Sequence, residues 1–539
     1  MDGNFPEKYS RWSVSRVFPF IITFLLGVMF TLAFYVPRKK TNLANSLTST
    51  DKLMETMQFI RDYYVDTVNE SLLIETCMNS LLQNLDPHSA YITAADNKTM
   101  QESLDGAFEG IGVQFNVLHD TVNVVAVISG GPSEKAGLRA GDRILKVDGE
   151  NFTGKKIDNT KVFKTLRGKK GTKVELDIQR RGFANLYHYS IVRDVIPTYT
   201  VDVSYLLDPR TGYIKINQFG SSTADEFRRA LDKLQQQGMA RLVIDLRGNS
   251  GGYLDAAIQI CDELLPSGNL IVYTEGAKVR PEKVKATRGG CFESGKLAIL
   301  IDEYSASASE IVAGAVQDND RGIIVGRRSF GKGLVQRQFD FPDHSSVRLT
   351  IARYYTPSGR SIQKDYHLGS VAYNEEVLQR YLDGELDSVT CTGLDTTHIY
   401  HTREGRVVYG GGGIMPDEFV PLDRDTALTA FFPLVNSGAV IEFAFEYTST
   451  HRNVLQQRYP TVETFVKNMS VTDDMINNLI HYYSTEICEL PFPKVSAASE
   501  QEIKRWLKAF IGRNLYREDA FYPVINQSDK TIKRALEIL

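Results

Sequence analysis

From Tyr213 to Gly326 the chain alternates between short apolar runs and amphipathic helical ones, and this alternation most restricts its fold. Tyr213-Ile214-Lys215-Ile216-Asn217, Arg241-Leu242-Val243-Ile244-Asp245-Leu246, Ala298-Ile299-Leu300-Ile301 and Ile323 to Gly326 read as strands. Ala224 to Gln237, Ala257 to Leu265 and Ser309 to Gln317 read as helices. Strands and helices in turn predict an α/β layer with parallel pairing. Composition permits large cores, with 42% hydrophobic and 24% charged residues in 539. A net charge of −4 gives no global attraction to nucleic acid. Cys77, Cys261, Cys291, Cys391 and Cys488 are scattered, and no pair has metal-ligand spacing. Neither a zinc site nor a disulfide framework is expected, and small buried hydrophobes are.

Two blocks in this layer carry chemistry. Ser305-Ala306-Ser307-Ala308-Ser309-Glu310 is a small-residue turn that opens a helix. Ser329-Phe330-Gly331-Lys332-Gly333 sets a lysine between glycines after an apolar strand. Serine becomes a nucleophile when a neighbouring base takes its proton. A lysine serves if burial lowers its pKa from about 10.4 toward 7–8. Ser307 is also a fit N-cap residue, but Ser305 and Ser309 are equally available for capping. A helix N-terminus supplies N–H groups where an oxyanion would form. Gly248-Asn249-Ser250-Gly251-Gly252 satisfies the Gly-x-Ser-x-Gly pattern after a strand, which makes Ser250 an alternative nucleophile. His398, His401, His451 and His481 would be its downstream partners, and none sits in a recognisable motif.

Val17 to Val36 is twenty residues without a charge, followed by Pro37-Arg38-Lys39-Lys40. That length spans a bilayer, and the flanks read as an uncleaved signal anchor. Residues 1–16 are then cytoplasmic and the body lies outside the cytoplasm. Residues 41–108 read as a linker and a helical region, with Met54, Met57, Ile60, Tyr64 and Val65 at helical spacing. Leu85-Asp86-Pro87-His88-Ser89 ends it as a turn with local side-chain caps rather than a catalytic cluster. Residues 109–194 form a β-rich module with Gly110-Ile111-Gly112-Val113, then Gly131 to Leu138, then Gly141 to Gly149. These blocks in this order resemble a PDZ domain. Its glycine-hydrophobic-glycine loop offers N–H groups to a peptide's C-terminal carboxylate, and the peptide adds as a strand. Residues 195–423 hold the α/β core, with an insertion near 366–402. Residues 424–539 are helical in pattern, as at Ile503, Trp506, Leu507, Phe510 and Ile511, and show no chemistry.

The chain from about Asp51 to Asp423 resembles the C-terminal processing peptidases, or tail-specific proteases. These are serine endopeptidases with a PDZ domain. The resemblance rests on Asp245 to Gly252, Ser305 to Glu310, Gly314 to Asp318, Phe330 to Gln336 and Tyr354 to Arg360. It implies a ClpP/crotonase-like α/β core beside the PDZ domain, with a membrane anchor and helical flanks. It implies Ser307 as nucleophile, Lys332 as base and Gln336 as the residue that orients the lysine. Backbone N–H groups of Ala308 and of Gly251 or Gly252 would form the oxyanion hole, and Asp318 would support the site. Gly110, Ile111, Gly112 and Val113 would bind substrate C-termini. No metal or cofactor is implied. The implied partners are proteins with exposed C-terminal tails, the membrane through residues 17–36, a second copy of the chain and an adaptor. The implied location is a bacterial inner membrane, crossed once, with the catalytic body on the periplasmic or extracytoplasmic side. The chain departs from the pattern at Ser250, where proline is usual, and at Tyr304, where glycine is common. Two other readings stand beside this one: a catalytically silent membrane-tethered PDZ scaffold, and an α/β-hydrolase built on Ser250.

Overall fold

The computed structural model describes residues 48–539 apart from 119, 129, 182, 184, 288, 389–394, 423–427 and 489–491, together with 23, 24, 27 and 28. The expected anchor at 17–36 otherwise lies outside the described residues. Among those described, no helix is long and apolar enough to cross a membrane. Residues 1–75 and 76–539 form two units. In the first, helix Ser49–Tyr63 starts on a capping box in which the Asp51 N–H donates to Thr48 Oγ1 and the Thr48 N–H to Asp51 Oδ2. The helical spacing expected to run through Tyr64 and Val65 breaks after Tyr63, and the next helix begins at Glu70. Val65, Thr67 and Val68 fill the break with β-branched residues, which lose side-chain freedom in a helix.

In the second unit, a six-stranded sheet runs in the order Val201–Asp208, Thr211–Ile216, Arg241–Asp245, Lys296–Ile301, Ile323–Gly326, Glu418–Phe419. Only the first pair is antiparallel. Period-two alternation divides the apolar residues between its faces. Ile214, Ile216, Leu242, Ile244, Ile299 and Ile301 pack under helices Thr223–Gln236, Leu254–Leu264 and Ala308–Asp318. Tyr213, Val243, Ala298, Leu300 and Val325 pack instead on the last helix, Lys530–Ile538, through Ile532 and Ala535. The C-terminal region thus covers the second face of the six-stranded sheet, and its preceding helices enclose a core of their own.

A second sheet joins Ala90–Ile92, Ser346–Tyr355, Leu270–Gly276 and Val279–Lys285, with Leu334–Asp340 also on Ser346–Tyr355. Residues 90–104 were expected in a separate helical region. They supply instead this strand and helix Ala94–Leu104, part of the wall of the central cleft. The PDZ-like module is a sheet in the order Val113–Leu118, Thr121–Val127, Arg143–Val147, Lys173–Gln179, Tyr187–Val192 around its own apolar core. Ala107–Gly110 pairs with Asp194–Pro197, which ties the module's entry to its exit without a long linker. The expected insertion near 366–402 contains helix Gly369–Leu382 and strand Asp395–His401.

Candidate active site

Three loops leave the carboxyl ends of neighbouring parallel strands, where open α/β sheets place their ligands. They are Leu246 to Gly252, Asp302 to Ser307 and Arg327 to Lys332, and all three reach one cleft. Side chains stitch the first two together. Ser305 Oγ donates to Leu246 O at 2.9 Å, Ser309 Oγ to Asn249 O at 2.9 Å, and the Ala306 N–H to Asn249 O at 3.0 Å. Ser305 and Ser309 are therefore staples, and Ser307 is the serine of the run that lines the cleft. Its backbone is held at φ 54, ψ −111 on the turn from strand to helix, a region that non-glycine residues seldom adopt. Nucleophile elbows share that feature. Ser250 lines the cleft too, but it is exposed and has no positive φ.

Glu310 was not assigned a role from the sequence, and it organises the site. Fully buried, its carboxylate accepts from the Ser307 N–H at 2.8 Å, Gly331 N–H at 2.7 Å, Lys332 N–H at 2.9 Å and Ser329 Oγ at 2.5 Å. One carboxylate thus fixes the serine turn against the lysine loop. Burial pushes its pKa up to about 7, against the four bonds that pull it down. The Tyr354 hydroxyl bridges the same segments from below, 3.1 Å from Ser307 O and 2.6 Å from Lys332 O. The available sequence signal was glutamate at the third position of a helix opened by serine. Its bonds to residues some twenty positions away had none.

Lys332 enters the cleft from this braced loop, and its Nζ donates to Gln336 Oε1 at 3.1 Å. Gln336 lies at a bulge at the start of strand Leu334–Asp340. Burial first, and the Arg348 cation second, pull Lys332 down to about 8. Among the described residues no hydrogen bond joins Ser307 Oγ to Lys332 Nζ. Catalytic hydrogen bonds are often long before substrate is bound. The glycine turn lies against the serine. A side chain on Gly251 would start 2.8 Å from Ser307 Cβ and 3.1 Å from the Ala308 nitrogen, and its φ is +105. The Gly251 N–H is spent on Asn249 Oδ1 at 2.9 Å. The N–H groups of Gly252 and Ala308 donate no hydrogen bond among the described residues. The expected choice between the two glycines therefore narrows to Gly252.

Asp318 sits at the far end of the eleven-residue helix that follows Ser307, about 16 Å away. It pairs with Arg360 at 2.8 Å and accepts the Ser358 N–H at 3.0 Å, so it fixes a turn and does not line the cleft. Arg247 anchors its loop as expected, through Asp245, and also reaches Asp529 at the N-cap of the last helix at 2.8 Å. Asp86 caps its turn, accepting from the His88 and Ser89 N–H groups. The His88 ring lines the cleft with Nε2 2.9 Å from the Tyr373 hydroxyl, and burial and Lys332 pull it down to about 4. The insertion braces the lysine loop from behind: Arg380 donates to the carbonyls of Arg328 and Ser329, and Lys364 to that of Tyr373.

In the PDZ-like module Ile111 buries its side chain in the core and Gly112 takes φ +76. The Ile111 and Gly112 N–H groups donate no hydrogen bond among the described residues. Val113–Leu118 is an edge strand: among the described residues no strand pairs with its side away from Thr121–Val127.

Peptidase family S41 matches residues 210–373, a PDZ domain matches 124–180, and a family of unknown function matches 431–517. The carboxy-terminal-processing protease of Bartonella bacilliformis is 36% identical over 351 residues, 64% of this chain and 80% of the relative. The chain belongs to the carboxy-terminal processing protease family. Bacillus subtilis carboxy-terminal processing protease CtpA is 32% identical over 351 residues, 64% of this chain and 74% of the relative. Among solved structures, the photosystem II D1 C-terminal processing protease is similar at 29% identity and a TM-score of 0.33, covering 58% of this chain and 83% of that one. As a member of the family the protein is a serine peptidase with a PDZ domain, a peptidase core and a helical C-terminal region.

Proposed function

We propose that the protein is a membrane-tethered endopeptidase that cleaves proteins near their C-terminal tails with Ser307 and Lys332 as a dyad. The observation that carries the dyad is the Glu310 brace, which fixes a strained serine and a lysine pulled down to about 8 in one cleft. Neutral Lys332 takes the Ser307 proton, and Oγ attacks the scissile carbonyl carbon. The oxyanion is met by the Gly252 and Ala308 N–H groups, which are pre-oriented and unspent. Lys332 passes the proton to the departing amine, and the acyl ester is then hydrolysed by water with Lys332 again as base. Gln336 keeps the ammonium aimed along the cleft.

The tail's carboxylate docks on the Ile111 and Gly112 N–H groups while its chain pairs with the edge strand Val113–Leu118. Helix Ala94–Leu104 supports coupling between this dock and the chemistry. Its Asn97, Met100 and Leu104 line the cleft, and its Glu102 pairs at 2.8 Å with Arg167, which stacks on Phe108 and Phe163 beside Gly110. Attachment through residues 17–36 to a bacterial inner membrane with the body on the periplasmic side belongs to the same proposal. So do a second copy of the chain and an adaptor as partners. The test is cleavage of an unfolded, tail-tagged substrate by wild type and by Ser307→Ala, with a serine-reactive phosphonate mapped by mass spectrometry. Loss of cleavage and an adduct on Ser307 are expected. Full activity in Ser307→Ala, or an adduct on Ser250, overturns the dyad.

A further inference from the structure

The cleft holds one cation that the chemistry above leaves without a task. Arg348 lies on strand Ser346–Tyr355, pairs with Gln338 across the sheet, and lines the cleft two rungs beyond Gln336, which pairs with Thr350. Its guanidinium donates to the Met100 thioether sulfur at 2.9 Å, a weak acceptor. Among the described residues no carboxylate lies within ion-pair distance of it. Several other arginines withdrawn from solvent here are matched: Arg360 by Asp318, Arg328 by Glu385, Arg327 by Glu303, Arg321 by three carbonyls. Burial draws the Arg348 pKa below the ordinary value with only the more distant Tyr253 opposing. The nearby acidic groups are already engaged, Asp96 by Thr93 and Asp340 by Gln338. A planar, five-donor cation turned toward the path of a peptide and lacking an anion is built to receive a carboxylate in two parallel bonds.

We propose that Arg348 is a carboxylate-binding subsite of the catalytic cleft, which takes an anionic group of the substrate two or three residues from the scissile bond. The inference rests on the dyad reading for where the scissile bond lies. Two rungs of strand separate Arg348 from the Lys332–Gln336 pair by about 7 Å, the reach of two extended substrate residues. The carboxylate has two sources, an acidic side chain or the α-carboxylate of a short tail. Occupation has an electrostatic consequence. Free Arg348 holds Lys332 down, and a bound carboxylate cancels that push. With an acidic substrate the rising limb of kcat, which reports the complex, moves to higher pH. The limb of kcat/KM, which reports free enzyme, stays in place.

The test uses the full chain and a fluorogenic peptide series. One arm is neutral and amidated, a second is amidated with one aspartate walked along the sequence, and a third is shortened to end two or three residues past the cleaved bond with a free carboxylate. Wild type is expected to favour a carboxylate-bearing arm by about tenfold in kcat/KM at one register. Preference in the second arm assigns an acidic side chain, and preference in the third assigns the tail. Arg348→Gln should erase the preference, and Arg348→Glu should invert it toward a lysine at the same register. Binding of the same peptides to Ser307→Ala should show the same order without turnover. Cleavage of all arms at equal rates, or a preference that survives Arg348→Glu, overturns the subsite and leaves the dyad standing. Retained cleavage of the neutral arm by Ser307→Ala overturns the dyad reading, while the binding order still judges Arg348.

Discussion

The catalytic loops and the PDZ loop each hold two unspent backbone N–H groups, Gly252 and Ala308 in one, Ile111 and Gly112 in the other. They are framed in opposite ways. The catalytic pair is set by a buried carboxylate, a tyrosine hydroxyl and serine staples that leave the surrounding backbone little freedom. The PDZ pair is set by one buried isoleucine and one left-handed glycine, next to a strand whose far edge pairs with no strand among the described residues. Chemistry requires donors fixed before the transition state forms. Recognition by strand addition requires a structure that its ligand completes.

The contrast breaks most sharply at the dyad. Ser307→Ala and Lys332→Ala should each lower kcat/KM by at least ~10³-fold with the melting curve retained, since the members of such a unit fail together. Wild-type kcat/KM should rise with pH through a midpoint near 8, because the proposed base works once deprotonated and Lys332 is pulled down to about 8. Glu310, pushed up to about 7 by burial, gains its charge over the lower part of the same limb. A limb of unchanged position in Lys332→Ala would remove lysine from the role.

Glu310→Gln comes next. An amide would turn an N–H toward groups that already donate, so kcat should fall about a hundredfold while KM holds. Denaturant unfolding should register a loss of about 2 kcal/mol from the unpaired donors. A normal kcat would mean that the brace is not what aligns the site. Smaller still is Gly112→Val. A side chain there meets Ile196 Cδ1 at 2.9 Å and forces a residue that avoids positive φ. It should raise KM for tail-bearing proteins roughly five- to tenfold and spare peptides too short to reach the PDZ domain. Equal damage to both substrates would show that the two regions are not separate. Ser250→Ala should stay within about twofold, as an exposed substitution.

Much of this architecture was legible in the sequence because it is local. Apolar periodicity marked the strands from Tyr213 to Ile324, and short motifs carried Ser307, Lys332 and Gln336. What escaped depends on chain segments far apart. Glu310 gains meaning when Gly331 and Lys332 fold over it. Helix Ala94–Leu104 becomes a cleft wall when Ala90–Ile92 pairs with Ser346–Arg348. Asp529 matters through Arg247, 282 positions away. The choice between Gly251 and Gly252 turned on the Asn249 side chain, which no spacing rule encodes. Helical spacing overran at Tyr64 and Val65 because periodicity takes no account of β-branched crowding in the following residues.

The open strand Val113–Leu118 has a colloidal consequence. Its sequence, Val-Gln-Phe-Asn-Val-Leu, has no charge and no proline to discourage pairing with another chain's edge. A strand shaped to accept any extended tail is equally shaped to accept its own likeness from a neighbouring molecule. Self-association should therefore grow with concentration where tails are scarce, and a saturating tail peptide should reverse it.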